Sequence, residues 1–386
     1  MQKNLLFIPG PVTVADAVLA AMAKPLMDHR SAPFAKILKR IESRMRPIFG
    51  TRGDVLVLSS SGTGGLETAV ANMFGPDDTV LVCPIGVFGQ RFIDLAKIYG
   101  CKVEVLETPW GSAVDPAALR ARLKADTQKK ITGILLTQNE TSTGAQNDMA
   151  ALAQAIRGHN AYVVVDAVSG LGASEFRMDD WGFDVVVTAS QKAIAAPPGI
   201  AMVAVSERAW AKMEHNTSPR FYFDLKRARD FSALGETPWT PAVSIAYALD
   251  VALDLFEKEG DANVWRRHDR YARAIRAALE ALGLKIYSQD GAHSPTVVAA
   301  YVPANIDGDA VRKRLREERG LMLGGGQKDL KGKIIRIGTM GDLSQTDIVG
   351  MIGALELALL DAGHNVQLGS GGKAALAIFL AESVPA

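Results

Sequence analysis

Short apolar runs alternate with longer helical patterns through the first half of the chain. The runs are rich in valine, isoleucine and leucine, and they occupy residues 55–58, 79–83, 102–106, 133–137, 161–165, 185–189 and 201–205. Strands that alternate with helices predict a mostly parallel, seven-stranded sheet with helices on both faces, which is an α/β fold. Ligands of such sheets bind beyond the carboxyl ends of the strands, so polar side chains that follow the runs are candidate site residues.

The pattern changes after a helical stretch at residues 243–259. Helices are then predicted at 264–282, 308–318 and 346–362, and strands at 296–301 and 334–337. Glycine-rich stretches at 324–326 and 369–372 are typical of loops. We therefore expect three parts: an N-terminal arm (residues 1–20), a large domain (21–260) and a smaller α+β domain (261–386).

Composition and charge narrow the class of ligand. The chain has 386 residues, of which 48% are hydrophobic, enough for a large core in two domains or three at most. Its 43 basic and 42 acidic residues give a net charge of +1, without the positive excess expected of a protein that wraps nucleic acid or an anionic membrane. Small polar molecules are therefore the expected ligands, with no nucleic acid and no membrane as partner.

The cysteines and the terminal segments bear on the compartment. Cys83 and Cys101 form no CxxC motif, which fits a reducing compartment and predicts neither a structural metal nor a disulfide framework. The first residues do not resemble a signal peptide, and no apolar run reaches the roughly 18 residues that span a bilayer. The last residues, 382–386, lack a Ser-Lys-Leu address. We expect a soluble, cytoplasmic protein.

A lysine and an aspartate follow two of the predicted strands. Lys192 comes just after the strand at 185–189, and Asp166 directly follows the apolar run at 162–165. Pyridoxal phosphate (PLP) chemistry needs this pair, because a lysine amine forms a Schiff base with the cofactor aldehyde and a carboxylate keeps the pyridine nitrogen protonated. Taken alone, a lysine after a strand is usually solvated, and an aspartate there often caps a turn or a helix.

A polar, glycine-rich segment at residues 59–67 follows the strand at 55–58 and precedes a helical pattern. It places backbone N–H groups and hydroxyls at a helix N-terminus, which is a phosphate-binding arrangement. An N-cap with a flexible turn is the alternative. The segment matches neither the Walker A motif nor GxGxxG, so nucleotide binding is disfavoured.

Three further features fit a flat cofactor with an amino acid substrate. Phe88 follows the strand at 79–83, where its ring could stack on the cofactor, although a core aromatic is the simpler interpretation. The segment at 139–144 offers hydroxyls to the ring or the substrate, or forms a polar turn. Arg336 lies in an alternating strand and needs an anionic partner, either a substrate carboxylate or a cross-strand salt bridge.

Several of these motifs occur together in the order of a known family. They are Ser190-Gln191-Lys192 followed by Ala196-Pro197-Pro198-Gly199, Asp166 to Ser169, Ser61 to Gly64, Asn139 to Gly144, and Arg336 to Gly338. Together they resemble the class V aminotransferases, and the most similar branch is that of the serine-glyoxylate and alanine-glyoxylate enzymes. The resemblance covers nearly the whole chain, and it implies fold type I and PLP as cofactor.

The resemblance also implies roles for individual residues. It makes Lys192 the Schiff-base lysine, Asp166 the partner of the pyridine nitrogen, and Arg336 the group that grips the substrate carboxylate. The remaining roles are contacts with the cofactor ring (Val168, Phe88), the ring hydroxyl and the substrate (Thr141), the substrate (Gly10), the phosphate (Ser61, Gly62, Thr63, Gln191) and the phosphate of the neighbouring subunit's cofactor (Thr240). The last role implies a homodimer with active sites at the subunit interface.

Three positions depart from the family pattern. Gln138 stands where many relatives have histidine, and Phe88 stands where they often have tryptophan. Relatives often carry a tyrosine near residues 237–240, which this chain lacks. The departures leave the preferred amino donor open.

The expected reaction is a ping-pong transamination between a small amino acid and a 2-oxo acid. The amino group of serine, or next of alanine, passes to glyoxylate and gives glycine, while Lys192 moves a proton from the substrate Cα to C4′ of the cofactor. Serine comes first because residues 176–182 and the tail resemble the serine-using branch.

Other activities compete with this expectation. Aspartate and ureidoglycine are alternative donors. A lyase of the cysteine desulfurase type would need a cysteine in the C-terminal part, but none follows Cys101. A binding module without chemistry would have no need to keep Lys192, Asp166 and Arg336 together.

Overall fold

Two large sheets and one short hairpin organise residues 4–381, the part of the chain that the computed structural model describes. The strands are β1 (Leu5–Phe7), β2 (Asp54–Leu58), β3 (Thr79–Cys83), β4 (Lys102–Val105), β5 (Ile131–Thr137), β6 (Asn139–Glu140), β7 (Ala145–Gln146), β8 (Tyr162–Asp166), β9 (Val185–Ala189), β10 (Ala201–Val205), β11 (Val297–Tyr301), β12 (Leu321–Gly325) and β13 (Ile334–Gly338). The predictions for residues 1–3 of the N-terminal arm and for the terminal segment 382–386 lie outside the described residues.

Helices fill the connections between these strands. They are α1 (Asp16–Met22), α2 (Ala32–Phe49), α3 (Gly62–Met73), α4 (Val87–Ile98), α5 (Pro116–Ala125), α6 (Met149–Ile156), α7 (Met178–Trp181), α8 (Glu207–Met213), α9 (Leu225–Ala233), α10 (Val243–Glu259), α11 (Asp261–Ala281), α12 (Gly308–Arg319), α13 (Gln345–Asp361) and α14 (Ser370–Ala381), with a 3-10 turn at Lys328–Leu330. Between residues 4 and 381, no helix is both long enough and apolar enough to cross a membrane.

The larger sheet has seven strands, and the mostly parallel α/β arrangement predicted from the apolar runs is confirmed. Its strand order is β2-β10-β9-β8-β5-β3-β4, and β10 runs antiparallel to both of its neighbours. Alternate residues of β2 enter the two cores on either face: Val55 and Val57 pack on the side of α2, and Leu56 and Leu58 on the side of α3. Burial on both faces explains why the inner strands are continuous apolar runs, whereas the edge strand β4 is partly exposed.

The smaller sheet has the order β1-β12-β13-β11. Its helices α11, α12, α13 and α14 contribute to one separate core with the strands. The N-terminal strand β1 pairs in parallel with β12, and Phe7 is fully buried in this core. Part of the predicted N-terminal arm is therefore a strand of the small sheet, and the residues that follow it reach Lys192 beside the large sheet.

Both glycine-rich stretches predicted as loops are partly regular structure, so those predictions are wrong. Gly324 and Gly325 end β12 and pair with β13. A Cβ on Gly324 would lie 3.1 Å from the Pro9 ring, so glycine here permits close packing of the N-terminal segment. In the second stretch only Gly369 precedes the helix, because the Glu356 carboxylate accepts the N–H groups of residues 369, 371 and 372 and starts α14.

Candidate active site

The carboxyl ends of the parallel strands bring the predicted polar residues to one edge of the large sheet. Asp166 ends β8, and Lys192 lies three residues beyond the end of β9. The N-terminal segment at Pro9 and Gly10 reaches the same place from β1, and Arg336 points to it from β13. The four-stranded sheet and the seven-stranded sheet therefore both contribute to this site.

Lys192 is enclosed by the N-terminal segment. Its Nζ donates a hydrogen bond of 2.6 Å to the carbonyl of Pro9. Gly10 has a φ of +130°, and a Cβ at this position would lie 2.5 Å from Nζ, so the close approach of the backbone requires glycine. Burial lowers the pKa of Lys192 to about 8, although the nearby carboxyl of Asp166 opposes the shift. A neutral, nucleophilic amine is therefore accessible near neutral pH.

Asp166 is buried with one carboxylate oxygen left unpaired. Its Oδ1 accepts a hydrogen bond of 2.9 Å from the backbone N–H of Val168. Its Oδ2 has no hydrogen-bond partner among residues 4–381. Burial raises the pKa of Asp166 to about 7, because the charged form loses its hydration. Such an oxygen fits a ligand that offers a positively charged N–H group.

The segment after β2 forms an exposed helix N-terminus. Ser61 is the N-cap of α3, and its side chain makes no capping hydrogen bond. Ser61 and Thr63 are exposed, whereas Gly62 is buried against Val168, whose Cγ1 would lie 2.9 Å from a Cβ on Gly62. The first N–H groups of a helix have no partner inside the helix, so this turn can bind a phosphate. The residues present thus fit both ends of PLP, the ring nitrogen and the phosphate.

Arg336 is a buried cation without a carboxylate partner. Its Nε donates to the carbonyl of Gly325 at 2.7 Å, and its Nη1 donates to the carbonyl of Thr141 at 2.7 Å. No ion pair to Arg336 occurs within the described residues, so the cross-strand salt bridge considered as an alternative is absent. Burial lowers the pKa of Arg336 to about 10, which leaves it charged at neutral pH. The backbone bonds fix the plane of the guanidinium, while Nη2 keeps donors for a ligand.

Glu140 belongs to a polar segment that the sequence singled out, but its own position was not predicted. Its buried carboxylate accepts the backbone N–H groups of Phe88 (2.9 Å), Gly89 (3.0 Å) and Ser142 (3.1 Å) and the Ser142 hydroxyl (2.6 Å). Burial raises the pKa of Glu140 against the effect of these hydrogen bonds. The carboxylate caps α4 and fixes Phe88 relative to the segment at 139–144.

The remaining predicted residues differ in exposure and in position. Thr141 is buried, and Gln191 has a buried Oε1 without a hydrogen-bond partner in residues 4–381. Thr240 is exposed and borders a cleft shared with Ser59 and Trp239. Gln138, which departs from the family pattern, is buried and donates from Nε2 to the Ser174 hydroxyl at 3.1 Å.

The sequence is similar to one protein family and to several known proteins along most of its length. The model of a family described as "Aminotransferase class-V" matches residues 15–339. A soluble hydrogenase 42 kDa subunit from Anabaena cylindrica is 37% identical over 98% of this chain and 99% of its own length. An L-aspartate–glyoxylate aminotransferase from Paracoccus denitrificans is 36% identical (97% and 95% covered), as is a serine–glyoxylate aminotransferase from Arabidopsis thaliana (99% and 96%).

Solved structures agree with the family match. A ureidoglycine-glyoxylate aminotransferase from Bacillus subtilis superposes with a TM-score of 0.93 at 29% identity, covering 98% of this chain and 99% of that one. A pyridoxamine-pyruvate aminotransferase from Mesorhizobium loti gives 0.94 at 32% identity, with 99% and 98% covered. The names of these relatives differ in their substrates, whereas the fold is common to them, and the family implies PLP as cofactor. The chain therefore belongs to the class V aminotransferase family and is an aminotransferase of fold type I.

Proposed function

We propose that this protein transfers the amino group of a small L-amino acid, with serine or alanine favoured, to glyoxylate, and yields glycine and a 2-oxo acid by a ping-pong mechanism. The observation that carries the proposal is the convergence of three ionisable groups, of which Asp166 and Arg336 are buried and Lys192 is half-buried. Lys192 lies in the electrostatic field of both Asp166 and Arg336. An amine, an unpaired carboxylate oxygen and an unpaired guanidinium edge are the groups that amino-group transfer on PLP requires.

The cofactor would be held at both ends by residues of this chain. Bound PLP supplies an aldehyde that condenses with amines and a protonated ring that stabilises negative charge at the substrate Cα. The Oδ2 of Asp166 would hold the proton on the ring nitrogen. Ser61, Thr63 and the first N–H groups of α3 would bind the phosphate, with Gln191 and Val168 also close to the cofactor.

Lys192 and Arg336 would act on the substrate. Arg336 binds the carboxylate that amino acids and 2-oxo acids share, which orients the Cα bond to be broken. Lys192 Nζ accepts the Cα proton as general base, and its lowered pKa suits this task near neutral pH. Thr141 and Gly10 would border the substrate, since Thr141 positions Arg336 and Gly10 lies against Nζ.

The choice of glyoxylate and of its donor is supported by the named relatives. Proteins similar along nearly their whole length are named for glyoxylate with serine, aspartate or ureidoglycine. Aspartate and ureidoglycine are therefore the alternative donors. A lyase of the cysteine desulfurase type finds no support, because the two cysteines of the chain, Cys83 and Cys101, are both buried.

A donor panel tests the proposed function. PLP-loaded protein is incubated with glyoxylate and serine, alanine, aspartate or ureidoglycine, and glycine is quantified. We expect glycine from every reaction that proceeds, with serine or alanine giving the largest kcat/KM. Faster turnover with aspartate or ureidoglycine would identify that compound as the donor instead. The absence of glycine with every donor would refute glyoxylate as the acceptor.

We also propose a homodimer whose active sites lie at the subunit interface. Thr240 lies beside an exposed aromatic cluster formed by Phe221, Tyr222 and Trp239, in which Phe221 is 69% exposed. Large exposed aromatic surfaces are typical of protein contacts. Sedimentation equilibrium of the PLP-loaded protein should give twice the mass of one chain, and a monomer would contradict this proposal.

Replacing Arg336 with methionine should lower kcat/KM by roughly 10²-fold for both the amino acid and the 2-oxo acid, because both lose the partner of their carboxylate. Arg336→Lys should recover only part of this loss, since lysine lacks the planar two-donor fork. Steady-state kinetics with both substrates give the values. Arg316→Met, which removes an exposed arginine from α12, is the matched control.

A substrate without a carboxylate separates recognition from misfolding. Alaninol has a hydroxymethyl group in place of the carboxylate of alanine. With alaninol as the amino donor, wild type and Arg336→Met should form the corresponding ketone at similarly slow rates. An equal loss for alaninol and alanine would show that Arg336 supports the fold of the site instead of binding the carboxylate.

Capture of PLP by the cofactor-free protein should depend on pH through Lys192. Only the neutral amine attacks an aldehyde, and the pKa of Lys192 is lowered to about 8. The capture rate should therefore fall roughly tenfold per pH unit below this value and level off above it. Stopped-flow absorbance measures the rate, and a midpoint near 10.5, the ordinary lysine value, would contradict the buried position.

A further inference from the structure

Arg91 lies at the rim of the proposed phosphate site without an assigned role. It belongs to α4, and its Nη1 donates a hydrogen bond of 2.7 Å to the hydroxyl oxygen of Thr63. Its guanidinium carbon lies 4.8 Å from the centre of the Phe88 ring. Arg91 therefore touches two residues to which we assign cofactor contacts, one at the phosphate end and one at the ring.

The charge of Arg91 is not neutralised by a carboxylate. No ion pair joins Arg91 to an acidic residue within the described range, and Thr63 Oγ1 is the hydrogen-bond acceptor that the guanidinium contacts there. An arginine carries five N–H donors, so most of them are free for another acceptor. The positive charge also extends to the centre of the site, since it lowers the pKa of both Asp166 and Lys192.

The hydrogen bond to Thr63 fixes the direction of the Thr63 hydroxyl proton. A threonine hydroxyl has one donor and two acceptor positions. Because Arg91 occupies an acceptor position, the Thr63 proton is turned away from the guanidinium and is available to an anion. Contact with the Phe88 face holds the guanidinium in place through a cation–π interaction.

We propose that Arg91 is a positioning residue for the cofactor phosphate, which orients the Thr63 hydroxyl and adds a positive charge beside the bound phosphate. The ligand class is a phosphate monoester, and Arg91 favours the phosphorylated cofactor over its unphosphorylated form. The inference rests on the proposed function only for the identity of that cofactor.

Binding of PLP and of pyridoxal, which lacks the phosphate, tests this role. Dissociation constants are measured with cofactor-free protein by absorbance titration for wild type, Arg91→Met, Arg91→Lys and Lys97→Met. Lys97 is an exposed lysine of the same helix and serves as the charge-matched control. Arg91→Met should weaken PLP binding roughly 10- to 100-fold and change pyridoxal binding by less than about twofold. The PLP dissociation constant of Arg91→Lys should lie between those of wild type and Arg91→Met. That of Lys97→Met should match wild type within about twofold.

Two outcomes would overturn the inference. An equal loss of PLP and pyridoxal affinity in Arg91→Met would mean that Arg91 only supports the fold through Phe88. Unchanged PLP affinity would mean that Arg91 does not act on the phosphate.

Inorganic phosphate separates this inference from the proposed function. If wild type fails to bind PLP, the proposed function fails. Arg91 then retains its assignment if millimolar phosphate raises the melting temperature of wild type but not of Arg91→Met, and loses it if phosphate stabilises both equally or neither.

Discussion

Replacing Lys192 with alanine is expected to abolish transamination, with a loss of at least ~10³-fold in kcat. The variant loses both the amine that binds the cofactor aldehyde and the base that accepts the Cα proton. Its PLP-treated form should also lack the visible absorbance that arises when the cofactor is bound to lysine. Coupled assays of glycine formation and absorption spectra measure the two effects.

Two controls keep this result interpretable. Lys192→Met fills the space beside Gly10 and Pro9 without an amine, so it should be folded, by circular dichroism, and equally inactive. Added methylamine should restore part of the proton transfer in Lys192→Ala, because a free amine can enter the vacated volume. Near-normal turnover of either variant would refute the assignment of Lys192.

Replacing Asp166 with asparagine should lower kcat roughly 10²- to 10³-fold, while Lys192 can still bind the cofactor. Asparagine keeps the size of the side chain but carries no charge to hold a proton on the ring nitrogen. Steady-state kinetics on fully PLP-loaded protein measure the loss. Asp115→Asn is a matched control, because Asp115 only caps α5 and asparagine caps equally well.

The same substitution has a separate effect on stability in the cofactor-free protein. Burial raises the pKa of Asp166 from 3.8 to about 7, so the folded state binds this proton more tightly than the unfolded state. The stabilisation from Asp166 is fully present below about pH 4 and is lost as pH rises to about 7. As pH rises through this interval, the melting temperature of wild type should therefore fall relative to that of Asp166→Asn. Parallel curves for the two proteins would contradict the buried, raised-pKa state.

The large sheet was predictable because most of its strands are buried on both faces, which makes them apolar runs; the exception is the edge strand β4, which is partly exposed. The predicted strand at 133–137 begins at Ile131, and the others agree as closely at their ends. The loop predictions for the two glycine-rich segments were wrong because contacts with distant parts of the chain determine their structure. Gly324 and Gly325 pair with β13, and Glu356 of α13 caps α14. The composition of a short segment reveals neither of these contacts.

The candidate site was predictable at residues whose side chains have distinctive chemistry. Lys192, Asp166 and Arg336 follow or occupy strands, and the topology brings them together. The carbonyl of Pro9 that accepts from Lys192 left no signal, because any residue type has a carbonyl. Glu140 stood out only as part of a polar segment, since the hydrogen bonds that it accepts from Phe88 and Gly89 depend on how α4 meets β6. Arg91 was likewise visible only through its contacts with Thr63 and Phe88.

The most direct test of the central claim is a single half-reaction. PLP-loaded protein is mixed with serine or alanine in the absence of any acceptor, and the 2-oxo acid released is counted per active site. We expect each active site to release about one molecule of 2-oxo acid, after which release stops. Addition of glyoxylate should then give a stoichiometric amount of glycine. Continuous product formation without an acceptor, or no 2-oxo acid from a protein with bound PLP, would contradict ping-pong transamination.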